Sequence, residues 1–276
     1  MKVAQLLIPL CLSVSAVAAQ PDAVSLVKNS IANYEHDWRE AEQWRWRVTE
    51  TTWSGGVKKV QVSESMPILG TPYEKVISKD GRPVPAEEEE REQEKYQKTV
   101  QRREKESPAQ RAARIRNHEQ EWAFLNEIPN AYDLSIAGKQ TINERPAWIV
   151  NLTRRPDFSP KSFRASMLKH IEGKLWIDEK EVRWVKAEAH VLDAIGIGWI
   201  LARVEPGAHI NLSFTRVAEN LWLPESINIS GAAKVMMFYR KNLDEEIRYS
   251  DYSRVGKDVP QHVTGISRER GQAPNR

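Results

Sequence analysis

From about residue 132 to 252 the chain is a series of short runs in which apolar and polar residues alternate, each closed by turn-forming residues. No other feature restricts the fold as much, because a period of two places alternate side chains on opposite faces of a strand. Strands are expected over 134–141 and 147–153, around a turn at Asn143-Glu144-Arg145. An irregular basic connection covers 154–172. The segment GKLWIDEKEVRWVKAEAHV (173–191) then reads as two strands around a turn at Asp178 to Glu181. Strands over 208–217, 221–230 and 233–252 follow, with turns at Glu219-Asn220 and Ser230-Gly231. Strands joined by such short connections pair antiparallel.

The first half of the chain mixes periods. Val24, Val27, Ile31, Tyr34 and Trp38 are spaced 3, 4, 3 and 4 apart, so a helix capped by Asp22 is expected to run to about Arg39 with one apolar stripe. From Gln43 the period becomes two: Trp44, Trp46 and Val48 alternate with Arg45, Arg47 and Thr49. Gly55-Gly56 turns the chain into a strand over 57–66, and 72–78 adds a further short strand. Residues 84–128 differ sharply, being dense in both charges without a sustained apolar stripe. Ser107-Pro108-Ala109-Gln110 combines a capping box with proline at the first helical position. Two helices forming a solvated hairpin inserted into the sheet are expected. The hairpin is either a self-paired exposed face or an arm for a partner, with Trp122, Phe124, Leu125 and Ile128 anchoring its end.

The N-terminus reads as a secretory signal over 1–19. Lys2 precedes an apolar stretch over 3–14, and small residues at Ser15-Ala16-Val17-Ala18-Ala19 offer cleavage after Ala18 or Ala19. The stretch is too short to span a bilayer stably, and no second run of spanning length follows. The single cysteine, Cys11, lies inside the signal behind Ile8-Pro9-Leu10, which is no lipidation context. The mature chain is therefore expected to lack disulfides, cysteine nucleophiles and cysteine metal ligands. It must rely on its own core, which a domain of roughly 255 residues can build by burying about three quarters of its surface. A net charge of +3 from 41 basic and 38 acidic residues implies no nucleic-acid partner. The tail from 257 is polar and expected to be disordered, leaving one domain over 20–256.

Motifs that carry chemistry are sparse. The histidines at 36, 118, 170, 190, 209 and 262 form no metal-binding spacing. His190 and His209 lie on expected strands that could be neighbours, but each is read as an isolated surface residue. There is no nucleophile elbow and no P-loop, and Gly196-Ile197-Gly198 lacks the strand–helix context of a dinucleotide site. The N-x-S/T sequences at Asn151, Asn211 and Asn228 fall inside expected strands. An enzyme with a dispersed site is the residual alternative, and neither cofactor nor metal is expected.

The strand over 182–192 is more informative. Val185, Ala187, Ala189 and Val191 share one face, and Trp184, Lys186, Glu188 and His190 the other. Two successive alanines leave room above the sheet, either for a closely packed helix or for an apolar ligand. Residues 195–204, with Trp199, Ile200 and Leu201, form either a strand or a loop exposing apolar side chains.

The pattern GKLWIDEKEVRWVKAEAHV, with NLSFTRVAENLWLPESI and the terminal RYSDYSRV, resembles the LolA-like group of periplasmic lipoprotein-carrier and outer-membrane lipoprotein-sorting proteins. The resemblance covers most of the chain after the signal, best from 132 to 255, and the charged helical pair departs from the simple carrier pattern. It implies an α+β fold, mainly β: an unclosed antiparallel β-barrel wrapped on a helical lid, with an apolar cavity between them. It also implies a periplasmic, non-enzymatic protein that binds a lipid or the acyl chain of a lipoprotein, with Arg45, Arg47 and Arg183 each able to be the ligand-handling arginine. Trp44, Trp46, Trp148, Ile177, Val185, Ala187, Ala189, Phe214 and Leu223 are the residues expected to line the cavity. The alternative is an envelope interaction module whose hairpin, over 85–127, binds a protein partner.

Overall fold

The computed structural model describes residues 20–197, 202–235 and 239–256. The signal reading of 1–19, the tail from 257, and Trp199, Ile200 and Leu201 lie outside the described residues. Helix α1 spans Ala23–Glu40, and Asp22 caps it by accepting the Ser25 N–H at 2.8 Å. Strands β1 (Trp44–Ser54), β2 (Val57–Ile68), β3 (Thr71–Lys79) and β4 (Arg82–Pro83) follow. Next come helices α2 (Ala86–Glu104) and α3 (Pro108–Glu119). The second run of strands is β5 (Tyr132–Ile142), β6 (Arg145–Arg154), β7 (Ile171–Asp178), β8 (Trp184–Val191), β9 (Ile195–Ile197) and β10 (Ala202–Val204). It ends with β11 (His209–Ala218), β12 (Leu221–Val235) and β13 (Tyr239–Arg254).

These strands form one antiparallel sheet in the order β4-β3-β2-β1-β13-β12-β11-β8-β7-β6-β5, with β9 and β10 attached beside β12. The sheet is not closed, since β4 and β5 are its two edges. The expected fold class, an open antiparallel half-barrel with helices, is what the chain adopts. Most neighbours in the sheet are also neighbours in sequence. The long-range exception is β1, which pairs with β13 from Trp44↔Arg254 to Thr52↔Glu245 and joins the two meanders.

The charged helices stand in sequence between the edge strands β4 and β5, and both pack against β3. Arginines hold them down. The Arg103 guanidinium is buried and donates to the Ile68 and Thr71 carbonyls at 2.8 Å each. Arg114 donates to the Leu69 carbonyl at 3.0 Å and to the Glu106 carboxylate at 2.7 Å. The β2–β3 turn thus finds partners for carbonyls that a tight turn leaves outside the ladder. Tyr96 packs edge-on against Tyr73 with ring centroids 5.5 Å apart. The capping box at Ser107 is present in both directions, Gln110 N–H to Ser107 Oγ and Ser107 N–H to Gln110 Oε1.

Two local expectations are corrected. Ser230-Gly231 is no turn, because β12 runs through it to Val235. Gly231 has φ +146°, and a Cβ added there would sit 2.6 Å from the Ala208 Cβ. Glycine serves close approach at that point and does not reverse the chain. The connection over 154–172 also contains two short helical turns, Phe163–Ser166 and Met167–His170.

Candidate functional site

Residues opposite one another in register share a face of the sheet, so the pairings define what α1 covers. One continuous row runs Val150, Leu175, Ala187, Leu212, Ile227, Ile247 and Glu50 across seven strands. Two residues along each strand, the next row runs Leu152, Gly173, Ala189, Ile210, Ile229 and Glu245. Val150, Leu175 and Ala187 are buried in the same cluster as Leu26, Val27, Ile31 and Tyr34 of α1. From Leu212 onward the row is only half-buried, and Ile210, Ile227, Ile229 and Ile247 share that state. A single apolar face is therefore buried beneath the helix on one side and only half-buried on the other.

Polar contacts fix α1 on the sealed side. The Ser30 hydroxyl donates to the Val27 carbonyl and accepts the Trp184 indole N–H, both at 2.8 Å. The Asn33 amide donates to the Glu181 and Val182 carbonyls. Asp37 accepts from Arg183 at 2.8 and 3.2 Å and from the Trp222 backbone N–H at 3.2 Å. Arg183 also donates to the Asn220 carbonyl at 2.8 Å, so this buried ion pair has hydrogen-bond partners on both sides. Between these ties, Tyr34 stacks on Trp184 at 4.9 Å and meets Phe214 edge-on at 6.0 Å. Burial pushes the Tyr34 phenol well above its ordinary value. Of the three candidate arginines, Arg183 is committed to the helix. Arg45 and Arg47 are exposed and bonded to Ser253 and Asp251.

The open side ends in an acidic wall. Tyr249 lies opposite Val48, and burial pushes its phenol up to about 12, helped by the carboxylates of Glu74, Glu245 and Glu50. A cavity of about 320 Å³ lies elsewhere, between the C-terminal half of α1 and the end of α3. Its walls include Glu35, Trp38, Arg116, His118 and Trp122, with the two tryptophans stacked 5.3 Å apart.

The residues nominated from sequence separate into two groups. Ile177, Val185, Ala187 and Phe214 are brought together in the cluster beneath α1, with Trp148 half-buried at its rim under the Lys139 ammonium. Trp46 and Leu223 belong to a second cluster that Trp44 packs against. A crevice of about 10 Å³ beside Trp44 and Trp46 has the volume of about one water. Ala189, next to the buried Ala187 position on the same face, is half-buried. None of the nominated residues lines the 320 Å³ cavity. The half-buried Ile210, Leu212, Ile227, Ile229 and Ile247 are not among the residues nominated from sequence. Each is one beat of a visible alternation, but alternation alone does not say which beats lie together.

The isolated reading of His190 and His209 is overturned. β8 and β11 are adjacent, the two residues are Cα partners, and their Nδ1 atoms are 2.7 Å apart. They lie on the face turned away from α1, since Ala189 and Ile210 alternate with them.

No protein-family profile matches the chain, and no curated protein matches it in sequence. Among solved structures, an outer membrane lipoprotein-sorting protein domain from Vibrio parahaemolyticus is 8% identical, with 85% of this chain and 95% of that chain covered at a TM-score of 0.37. A LolA superfamily protein from Nitrosomonas europaea is 12% identical over 87% of this chain and 96% of that chain, with a TM-score of 0.35. A protein of a family without assigned function from Desulfovibrio piger is 8% identical over 85% and 94%, also at 0.35. At this identity the likeness is one of fold.

Proposed function

We propose that this chain is a non-enzymatic binding protein of the periplasm that holds the acyl chain of a lipid or lipoprotein on the concave face of its half-barrel. The observation that supports this reading is the apolar row that passes out from under α1 and stays half-buried through Leu212, Ile227 and Ile247. Three adjacent strands give that strip a width of about 10 Å. Each methylene taken out of water there contributes about 0.8 kcal/mol. The sealed side extends the site if α1 lifts, and Asp37–Arg183 is then the contact that must break. No helix among the described residues is long and apolar enough to cross a membrane.

Native mass spectrometry, after incubation with a diacyl phospholipid and separately with a triacylated lipopeptide, tests the reading. A one-to-one adduct with at least one of them is expected, and its loss in Ile229→Glu. Protein that stays ligand-free with both overturns it.

A second reading, partner binding through 85–127, is favoured by the solvent face of α2, where Glu90, Arg91, Glu94 and Lys98 are all exposed. Reversing these four charges leaves lipid uptake intact under the first reading and abolishes capture of a partner under the second.

A further inference from the structure

We infer that His190 and His209 form a binding site for a divalent transition-metal ion of tetragonal preference, Cu²⁺ above all, on the outer face of the sheet. The two imidazoles project from directly opposed positions of β8 and β11, both exposed, with their rings at 89° and their Nδ1 atoms 2.7 Å apart. A neutral imidazole has one N–H and one lone pair, so this contact places a single proton between two nitrogens. When both rings carry their hydrogen on Nε2 instead, both Nδ1 lone pairs are free, and a small rotation of the two exposed side chains turns them from each other toward one ion. The arrangement is that of a chelate whose two arms are held by neighbouring strands of one sheet.

The close spacing also favours a small bite angle. With metal–nitrogen bonds of about 2.0 Å, two nitrogens 2.7 Å apart subtend roughly 80–85° at the ion. That is close to the cis angle of a square-planar or tetragonal centre and well short of the tetrahedral angle that zinc adopts in protein sites. The intrinsic order of divalent affinities points the same way, with Cu²⁺ above Ni²⁺ and Zn²⁺.

The surroundings neither complete nor block the site. On the same face, Glu172 lies across from His190, Ser230 across from His209, and Glu188 and Asn211 form the next pair along. Glu172 accepts the Arg154 backbone N–H at 3.3 Å, and Glu188 is paired with Lys186. Among the described residues no group of three or more His, Cys, Asp and Glu side chains is placed to share a metal. The site is therefore a two-imidazole chelate whose other positions belong to water or to an incoming ligand. It lies on the opposite face from the apolar rows, so it is independent of the proposed acyl-chain site.

The test is calorimetric titration of tag-free full-length protein with CuCl₂, NiCl₂ and ZnCl₂, paired with electron paramagnetic resonance of the copper-loaded form. One equivalent of Cu²⁺ is expected to bind more tightly than Ni²⁺ or Zn²⁺, with a tetragonal spectrum split by two nitrogens. His190→Ala and His209→Ala, shown by circular dichroism to be folded, should each weaken Cu²⁺ binding at least tenfold. His209→Gln should do the same while keeping a polar side chain of similar size, and His170→Ala should change nothing. Copper binding that survives both alanine substitutions, or a spectrum without nitrogen splitting, overturns the inference, as does the absence of saturable binding.

Discussion

The two sides of the concave face share one backbone arrangement and one row of apolar side chains, yet they differ in what covers them. Beneath α1, Val150, Leu175 and Ala187 are buried in one cluster with Val27, Ile31 and Tyr34. Beyond the helix, Leu212, Ile227 and Ile247 continue the row half-buried. Where this row lies under the helix it becomes core, and where the same pattern runs on it stays half-buried. Along this row burial ends after Ala187, whereas farther along the same strands the core beneath α1 reaches Phe214 and Trp222.

The largest expected effect lies in the sealed half. Trp184→Ala removes the ring stacked on Tyr34 and leaves the Ser30 hydroxyl without its indole donor, which should cost about 3–5 kcal/mol. A urea midpoint close to that of the parent protein would show that α1 does not depend on this contact. Next in size is Asp178, deeply buried at the start of the β7–β8 turn. Burial alone would raise its carboxyl, but hydrogen bonds from Arg145 and from the Glu181 and Lys180 N–H groups hold it below the ordinary value. A depressed folded value means that its contribution is present above the unfolded value and is lost as pH falls through the folded one. Stability should therefore decline below about pH 4. Asp178→Asn should flatten part of that decline and cost about 2–3 kcal/mol near neutrality. Urea midpoints measured from pH 2.5 to 7 in both proteins check this.

The open half should respond less. Ile227→Ala is expected to cost about 1 kcal/mol, because the side chain already meets water and leaves no sealed cavity. A loss as large as that of Trp184→Ala would break the distinction between the two halves. The smallest effect belongs to the charged insertion. Ser107→Ala removes the capping box of α3 and should cost about 1 kcal/mol in thermal unfolding, with the sheet unaffected.

Much of the fold was legible because its signals are local. Asp22 and Ser107 announce helix starts through side chains that satisfy the first free N–H groups. The alternation of Trp44, Trp46 and Val48 marks a strand wherever that strand is finally placed. Ser230-Gly231 misled because glycine signals both chain reversal and close packing, and only the approach of Ala208 distinguishes them. The nominated Ile177, Phe214 and Leu223 are apolar beats of their strands, and all three are packed by side chains. An alternating pattern separates two faces and cannot show how far a helix reaches across one of them.

What the sequence determined by itself is the inventory: one striped helix, a charged helical pair and a long run of antiparallel strands, each written in spacings of a few residues. Tertiary structure decided the rest. It set β1 beside β13, packed the charged helices against β3, and brought His190 against His209. It also left Leu212 half-buried beside the buried Ala187 in one row of the sheet. The reason is that register and helix position follow from contacts between residues far apart in the chain, whose energies exist only once the partners meet.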